Sequence, residues 1–205
     1  MEKTKPIFDL SVVIVTFNNH DLILDCLFSL SRALESYTSQ VILIDNFSTD
    51  GTRTLLKSAK SGKHLSFQAV QLIFNSENLG YTRAVNQGLH LCKGSFVLML
   101  NPDILFPENP FPILFQCFQN GVGVVAPKLL FPNGNIQPSC RRLPKKRDVL
   151  YEALGLSRLF PRFNSWRMPD FDFRSSRDVP QPQGAFLLAK KNVVHQVGVL
   201  DDRFP

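Results

Sequence analysis

The sequence predicts an α/β chain, with a mainly parallel, wound sheet followed by a less regular half. Three observations carry this. Unbroken apolar runs rich in β-branched residues recur along the first half, helical apolar spacing fills the gaps between them, and polar residues cluster where each run stops. A strand covered on both faces of a parallel sheet reads as a continuous apolar run, whereas a strand with one wet face alternates. SVVIVTF (residues 11–17) is of the first kind and forms the first strand.

Residues 18–21 then offer N-cap chemistry, and apolar side chains recur at Ile23, Cys26, Leu27, Leu30, Ala33, Leu34 and Tyr37, the spacing of an amphipathic helix. VILID (41–45) is the second strand, and Asn46, Ser48, Thr49, Asp50 and Gly51 make a turn that caps a helix from Thr52. VQLIFN (70–75) repeats the pattern, with Tyr81, Ala84, Val85, Gly88, Leu89 and Cys92 on the next helical face and SFVLML (95–100) as the fourth strand. Such alternation argues for a doubly wound sheet with right-handed crossovers. Beyond Asn101 the rhythm weakens, because Pro102, Pro107, Pro110 and Pro112 permit only a short helix. GVGVVAP (121–127) reads as a strand, Asn133-Gly134 marks a hairpin, residues 156–182 form a long loop, and GAFLLAKK (184–191) is a late strand leading to a short helix that ends near Val197. The expectation is one domain over residues 1–205, with a regular half at about 10–103 and a less regular half at about 104–205.

With 205 residues, 44% hydrophobic and 20% charged, the chain is globular, which excludes the disordered and fibrous classes. Cys26, Cys92, Cys117 and Cys140 form no CxxC pair, which argues against a zinc knuckle or a disulfide framework and for a reducing compartment. No apolar run approaches the roughly 20 residues that span a bilayer. The run at 10–17 passes into Asn18, Asn19, His20 and Asp21 without a small-residue cleavage site, unlike a signal peptide. A cytoplasmic chain, at most peripheral at the inner membrane face, is expected. The net charge of +6 suits an anionic partner, and five basic residues fall in RRLPKKR (141–147). That run reads as a solvated loop or as a contact for a diphosphate or an anionic lipid surface. Scattered aromatic residues argue against nucleic acid. His195 has no second ligand at metal spacing and reads as structural, and His20 and His64 carry no signal. Phe163, Trp166 and Phe171 stack on a sugar or pin the long loop, and packing favours pinning.

Ligands of open α/β sheets sit at the carboxyl ends of the strands. Those ends carry Thr16, Phe17 and Asn18; Asp45 and Asn46; Asn75 and Asn78; and Asn101, Pro102 and Asp103. Singly, such residues serve as turn formers and caps. As a set they point to a binding site. Neither GxGxxG after the first strand nor GxxxxGK[ST] is present, so any diphosphate must be held by other means. A hard divalent cation held by one or two carboxylates and by the substrate's own phosphate oxygens is the alternative, and Asp103 is placed for it.

Six blocks, SVVIVTFNN, VILIDNFSTDGT, NSENLGYTRAVNQG, FVLMLNPDILF, VGVVAPKLLFPNGNIQPSCRRLP and QPQGAFLLAKKNVVHQVGVLDDRFP, resemble in order those of family 2 glycosyltransferases, in particular the bacterial rhamnosyltransferase-like enzymes of cell-surface polysaccharide assembly. The resemblance implies a GT-A fold, a nucleotide-diphosphate sugar donor with dTDP-rhamnose suggested by the subgroup, and a divalent cation, Mg²⁺ or Mn²⁺. It also implies inverting transfer to a glycan or lipid-linked acceptor. By the same resemblance Thr16, Phe17 and Asn18 line the nucleotide pocket, and Asp45 and Asn46 face the base and ribose, where many relatives carry two acids. Asn78, Gly80 and Arg83 approach the donor, with Asn86 on the helical face of Arg83. Asn101, Pro102 and Asp103 stand at the metal motif, where Asp103 is the acid present, and Gly184 and Ala185 lie where relatives bring backbone close to the acceptor. Arg141 and Arg142, from the basic run, are the candidate phosphate or acceptor contacts. The family's base belongs to an acidic pair that follows a block ending like VGVLDDRF, and this sequence stops at Pro205. Asp201 and Asp202 match the turn before it, which leaves Asp202 as the nearest acid and a sugar-nucleotide-binding fragment as the alternative reading.

That chemistry is self-consistent. A glycosidase needs a general acid for a poor leaving group, whereas a sugar nucleotide carries a diphosphate whose charge a cation can neutralise. A base for the acceptor hydroxyl is still required.

Overall fold

The structure is a computed structural model that describes residues 7–61, 65–119, 121–156 and 165–204, so that His64 and Phe163 lie outside the described residues. Its first half runs β1 (Phe8–Thr16), α1 (His20–Ala33), β2 (Ser39–Asp45), α2 (Thr52–Ser61), β3 (Ala69–Phe74), α3 (Tyr81–Leu89) and β4 (Gly94–Leu100). Each element follows the apolar pattern that predicts it. Every residue of β1 from Leu10 onward is buried, as is all of β2, which is what unbroken apolar runs require. The two pair in parallel from Leu10 opposite Ser39 to Thr16 opposite Asp45. β3 pairs in parallel with β2, and β4 pairs in parallel with β1 on its other side.

The chain continues through α4 (Phe111–Gln116), β5 (Val124–Val125), β6 (Leu129–Leu130), β7 (Ile136–Gln137), β8 (Cys140–Arg141), α5 (Lys146–Ala153), β9 (Gln181–Pro182), β10 (Phe186–Lys190) and α6 (Lys191–Val197). The central sheet has the order β3-β2-β1-β4-β10-β5, with β10 antiparallel to both β4 and β5. The strand expected over 121–127 shrinks to two residues, because Gly121 adopts a positive φ before it and Pro127 removes a donor after it.

Two compact units result, one of Met1–Val125 with Gly184–Pro205 and one of Ala126–Gln183. In the first, Val13 and Val15 of β1, Ile42 and Ile44 of β2 and Val97 of β4 form one core with Ala84, Val85 and Leu89 of α3. Burying each such aliphatic side chain is worth roughly 1.5–3 kcal/mol. Alternate residues Leu10, Val12 and Ile14 are equally buried on the opposite face. A buried polar knot closes the amino end of the sheet. Ser11 Oγ donates to Gln40 Oε1 at 2.8 Å and accepts from the amides of Lys93 and Gly94 at 3.0 and 2.9 Å, so the turn before β4 is tied to β1 and β2. An aromatic cluster supports the irregular stretch after β4, with Phe111 6.3 Å from Phe186, and Phe115 4.8 Å from Phe96.

In the second unit, β6 and β7 form the hairpin predicted at Asn133-Gly134, with Gly134 at φ 81°. β8, β9 and α5 are elements that the sequence reading did not single out, and β8 pairs antiparallel with β9. The Trp166 carbonyl accepts the Arg142 amide at 2.8 Å, and the Arg141 guanidinium lies 5.7 Å over the indole, which pins this part of the long loop.

Gly88 sets the distance between α3 and the sheet. A Cβ there would stand 2.4 Å from Val13 Cγ1 and 2.9 Å from Ile44 Cδ1, both buried and stiff β-branched side chains. Gly88→Ala is expected to lower stability by about 1–3 kcal/mol in urea unfolding. Val13→Ala should then cost less in the Gly88→Ala background than alone, since it vacates the clashing atom. Equal costs in both backgrounds would contradict this packing.

Candidate functional site

The carboxyl ends of β1 and β2 are laced together by the polar residues that follow them. Asn18 adopts φ 55°, a left-handed conformation that Asn tolerates. Its amide donates to Ser48 Oγ at 2.9 Å and its Oδ1 accepts from the Thr49 amide at 2.8 Å. Asn19 Oδ1 accepts from Thr16 Oγ1 at 3.1 Å and from the Phe17 amide at 2.9 Å, which leaves the Phe17 ring 45% exposed.

Asp45 is fully buried at the end of β2, and its Oδ2 accepts from Arg53 Nε at 2.5 Å and from the Ser48 amide at 3.1 Å. Arg53 also donates through Nη2 to the Asn75 carbonyl and lies 5.6 Å from the Phe47 ring centroid and 5.8 Å from that of Phe74. Asp45 Oδ1 is the buried side-chain atom left without a hydrogen-bond partner among the described residues.

Asn46, only 3% exposed, is the hub of the next loop. Its Nδ2 donates to Asn78 Oδ1 at 2.8 Å and to the Gly80 carbonyl at 3.3 Å, and its Oδ1 accepts from Asn75 Nδ2 at 2.9 Å and the Leu79 amide at 3.1 Å. Asn75 exchanges two further bonds with Gln87 of α3, at 3.2 and 3.1 Å. Asn78 Oδ1 accepts a second bond from the Gly80 amide at 2.9 Å, which leaves Asn78 Nδ2 as a donor without a described partner. Gly80, at φ 79°, makes the reversal into α3 that a side chain would strain.

β4 delivers Asn101, Pro102 and Asp103. The Asn101 amide donates to the Ala185 carbonyl at 2.9 Å, so the entry to β10 lies beside this motif, and a Cβ on Gly184 would meet open space. Asp103 is exposed and has no hydrogen bond or ion pair with any described residue. Burial, then the Asp103 charge, push the Cys26 thiol up to about 12, so that it stays neutral beneath the site.

A cleft of about 410 Å³ opens at this end of the sheet. Seven of its lining residues were singled out by sequence, namely Phe17, Asn46, Asn78, Asn101, Pro102 and Asp103 at the strand ends and Gly80 by the family resemblance. Asn19 and Tyr81 also line it, and Asp103 is the one formal charge in the lining among the described residues. Thr16, Asn18, Asp45, Arg83, Gly184 and Ala185 are not among its lining residues. Among the described residues no group of three His, Cys, Asp or Glu side chains could hold a metal. The donor set therefore fits an ion bound by Asp103 and by ligand oxygens, and does not form an all-protein cage.

Arg83, in the first turn of α3, is exposed and has no partner among the described residues. One turn on, Asn86 clips the late segment to α3, donating from Nδ2 to the Leu200 carbonyl at 2.8 Å and accepting the Leu200 amide at 2.9 Å. Asp201 is held by Arg203 at 2.5 Å, and Asp202 is exposed and outside the cleft lining. Within the second unit, Arg141 Nη1 donates to the Pro138 and Cys140 carbonyls at 2.7 and 2.8 Å, and Arg142 makes a forked pair with Asp170 at 2.8 and 2.6 Å. The fork, chiefly through its hydrogen bonds, lowers the Asp170 carboxyl to about 2 and raises the Arg142 guanidinium.

Sequence reasoning assigned neither the Arg53 stack nor the Asn86 clip, because neither belongs to a short motif. The available signal for the first was an arginine in the opening turn of the helix that follows an acid-ended strand. Two outcomes follow from the geometry. Asn46→Ala should destabilise the chain by about 1–3 kcal/mol, read as a lower urea midpoint, since it strips partners from buried polar groups; an unchanged midpoint would deny its role as hub. Asp170 has a depressed carboxyl pKa, so its contribution is present above its ordinary value of 3.8 and is lost as pH falls toward about 2. Fluorescence of Trp166, the single tryptophan, should step within that window, and Asp170→Asn should remove the step.

Among known proteins, the family model described as Glycosyl transferase family 2 matches residues 11–170. The N-acetylglucosaminyl-diphospho-decaprenol L-rhamnosyltransferase of Mycobacterium tuberculosis is 29% identical over 212 residues, covering 95% of this chain and 66% of that protein. An undecaprenyl-phosphate 4-deoxy-4-formamido-L-arabinose transferase of Pseudomonas fluorescens is 31% identical over 144 residues, covering 69% of this chain and 40% of that protein. The chain thus spans between two fifths and two thirds of the length of these relatives. In fold it is similar to the mannosyltransferase PcManGT of Pyrobaculum calidifontis, solved with GDP-Man and Mn²⁺, with a TM-score of 0.60 at 21% identity over 97% of this chain and 49% of that one. With its parallel-dominated sheet of the GT-A type and the family's pattern running over most of its length, the chain belongs to glycosyl transferase family 2.

Proposed function

We propose that the chain binds a nucleotide-diphosphate sugar at the carboxyl end of the sheet and transfers the sugar, with inversion, to a lipid-linked or polysaccharide acceptor. The observation that carries this reading is the cleft itself. It combines an exposed aromatic face at Phe17, an unpartnered amide donor at Asn78 and one unpaired carboxylate at Asp103, at the sheet end where such folds bind ligands. Phe17 would pack on the nucleoside, and Asp45, fully buried and outside the cleft lining, would serve the base side by fixing Ser48 and Arg53 and not by contact with the base. Asn78 and Arg83 would orient the diphosphate and sugar. Asp103 would hold Mg²⁺ or Mn²⁺, which when bound supplies charge neutralisation for the leaving diphosphate. The name of the Mycobacterium tuberculosis relative favours a rhamnosyl donor, for which dTDP-rhamnose is the form tested, and the names of both relatives favour a polyprenyl-linked acceptor, which would bring the chain to the inner membrane face as a peripheral protein. No helix among the described residues is long and apolar enough to cross a membrane.

Binding without turnover is the second reading. It is favoured by the acids of the late segment, since the Asp201 carboxylate is occupied by Arg203 and Asp202 lies outside the cleft lining. Release of nucleoside diphosphate on adding a polyprenyl-diphosphate acceptor separates the two readings.

Calorimetry with Mn²⁺ and nucleotide-diphosphate sugars, dTDP-rhamnose included, is expected to show binding that Asp103→Asn weakens about tenfold or more, about 1.4 kcal/mol per decade. Because Asp103 is exposed, the substitution should leave the thermal midpoint unchanged. The absence of binding by every donor sinks the proposal, and equal affinity in Asp103→Asn removes the metal role.

A further inference from the structure

A helix on the surface of a globular unit ordinarily buries its apolar stripe and wets its polar one. α5 does the reverse. Asp148 is 3% exposed, with its Oδ2 accepting the Lys145 amide at 2.8 Å, and Glu152 pairs with Arg167 at 2.7 Å. Val149, Leu150 and Leu154 are 60%, 55% and 63% exposed, and Leu143 just before the helix is 71% exposed. At 3.6 residues per turn, positions 146, 149, 150 and 153 share one face, which Leu154 extends. That face is outward and, beyond Lys146 at its start, apolar.

Its border is cationic. Lys145, Lys146 and Arg147 are all exposed at the start of the helix, and the nearest acid to Arg147 is Asp148 at 4.0 Å. Asp148 is buried and Glu152 is engaged by Arg167, so among the described residues Lys145 and Lys146 have no ion pair with a carboxylate of the helix. Arg141 and Arg142, by contrast, are held by carbonyls and by Asp170. The basic run therefore divides into an engaged part and a part that is available to a partner. An apolar ridge edged by uncompensated cations complements an anionic, fluid surface into which leucines can sink while lysines meet headgroups.

We propose that the outward face of α5, with Leu143 and the Lys145–Lys146–Arg147 edge, docks on an anionic lipid bilayer. A single short helix gives reversible attachment that scales with the charge of the surface. The inference deepens the peripheral-membrane part of the proposed function and is independent of the transfer reaction, since its test contains neither sugar nucleotide nor acceptor.

The full chain is sedimented with phosphatidylcholine vesicles, with and without phosphatidylglycerol. Binding should require phosphatidylglycerol and weaken about tenfold or more both in Leu150→Gln/Leu154→Gln and in Lys145→Glu/Lys146→Glu/Arg147→Glu, at unchanged circular dichroism. Lys128→Glu, an exposed position of the same unit, should bind within about twofold of the parent chain. Binding that is absent, indifferent to phosphatidylglycerol or unchanged in both multiple variants overturns the proposal. So does light scattering that shows a concentration-dependent oligomer dissolved by Leu150→Gln/Leu154→Gln without vesicle binding, because a second copy would then be the occupant.

Discussion

Burial of β1 on both faces and both edges is the constraint from which the rest of the first unit follows. With β2 on one side, β4 on the other and packed side chains above and below, no polar side chain can be accommodated along the strand except where it is fully hydrogen-bonded. Ser11 and Gln40 meet that condition at the amino end, where they tie down a turn. At the other end the polar residues are too many to be absorbed by turns alone, and the surplus faces a cleft. A parallel sheet thus sorts its polar residues by direction, with a closed knot at one end and an open cleft at the other.

Much of this was legible in the sequence because parallel strands have a strong signature. β1 to β4 and the helices between them are marked by unbroken apolar runs and by three-and-four spacing, and six lining residues of the cleft were identified from strand ends alone. What was hidden depends on pairings between distant residues. The Asn46–Asn75–Gln87 network spans two loops and a helix, and the Asn86–Leu200 clip joins residues 114 apart, so neither leaves a local pattern. Unit two was harder for another reason. Its strands are two residues long, and the apolar stripe of α5 is not a core stripe, so periodicity gave no inward direction.

One charge pair of the first unit is spent internally. Arg53 answers Asp45 beneath two aromatic rings and never reaches the cleft, which turns an acid and a base into scaffold. Asp103 is left alone at the surface, and its isolation is what makes one carboxylate count. A lone negative charge in a cleft couples the affinities of an anion and a cation, each being better bound when the other is present.

Asn46 carries one further implication. Its amide donates toward Asn78 and accepts from Asn75 and the Leu79 backbone, so its polarity dictates which way the Asn78 amide must turn. A carboxylate at the same place could accept but not donate, and would oppose the Asn78 oxygen that Asn46 now attracts. Positions 46 and 78 consequently form a pair whose members cannot be exchanged independently. An acid at the first would call for a donor turned inward at the second, and with that turn the free donor now offered to the cleft by Asn78 would become an acceptor.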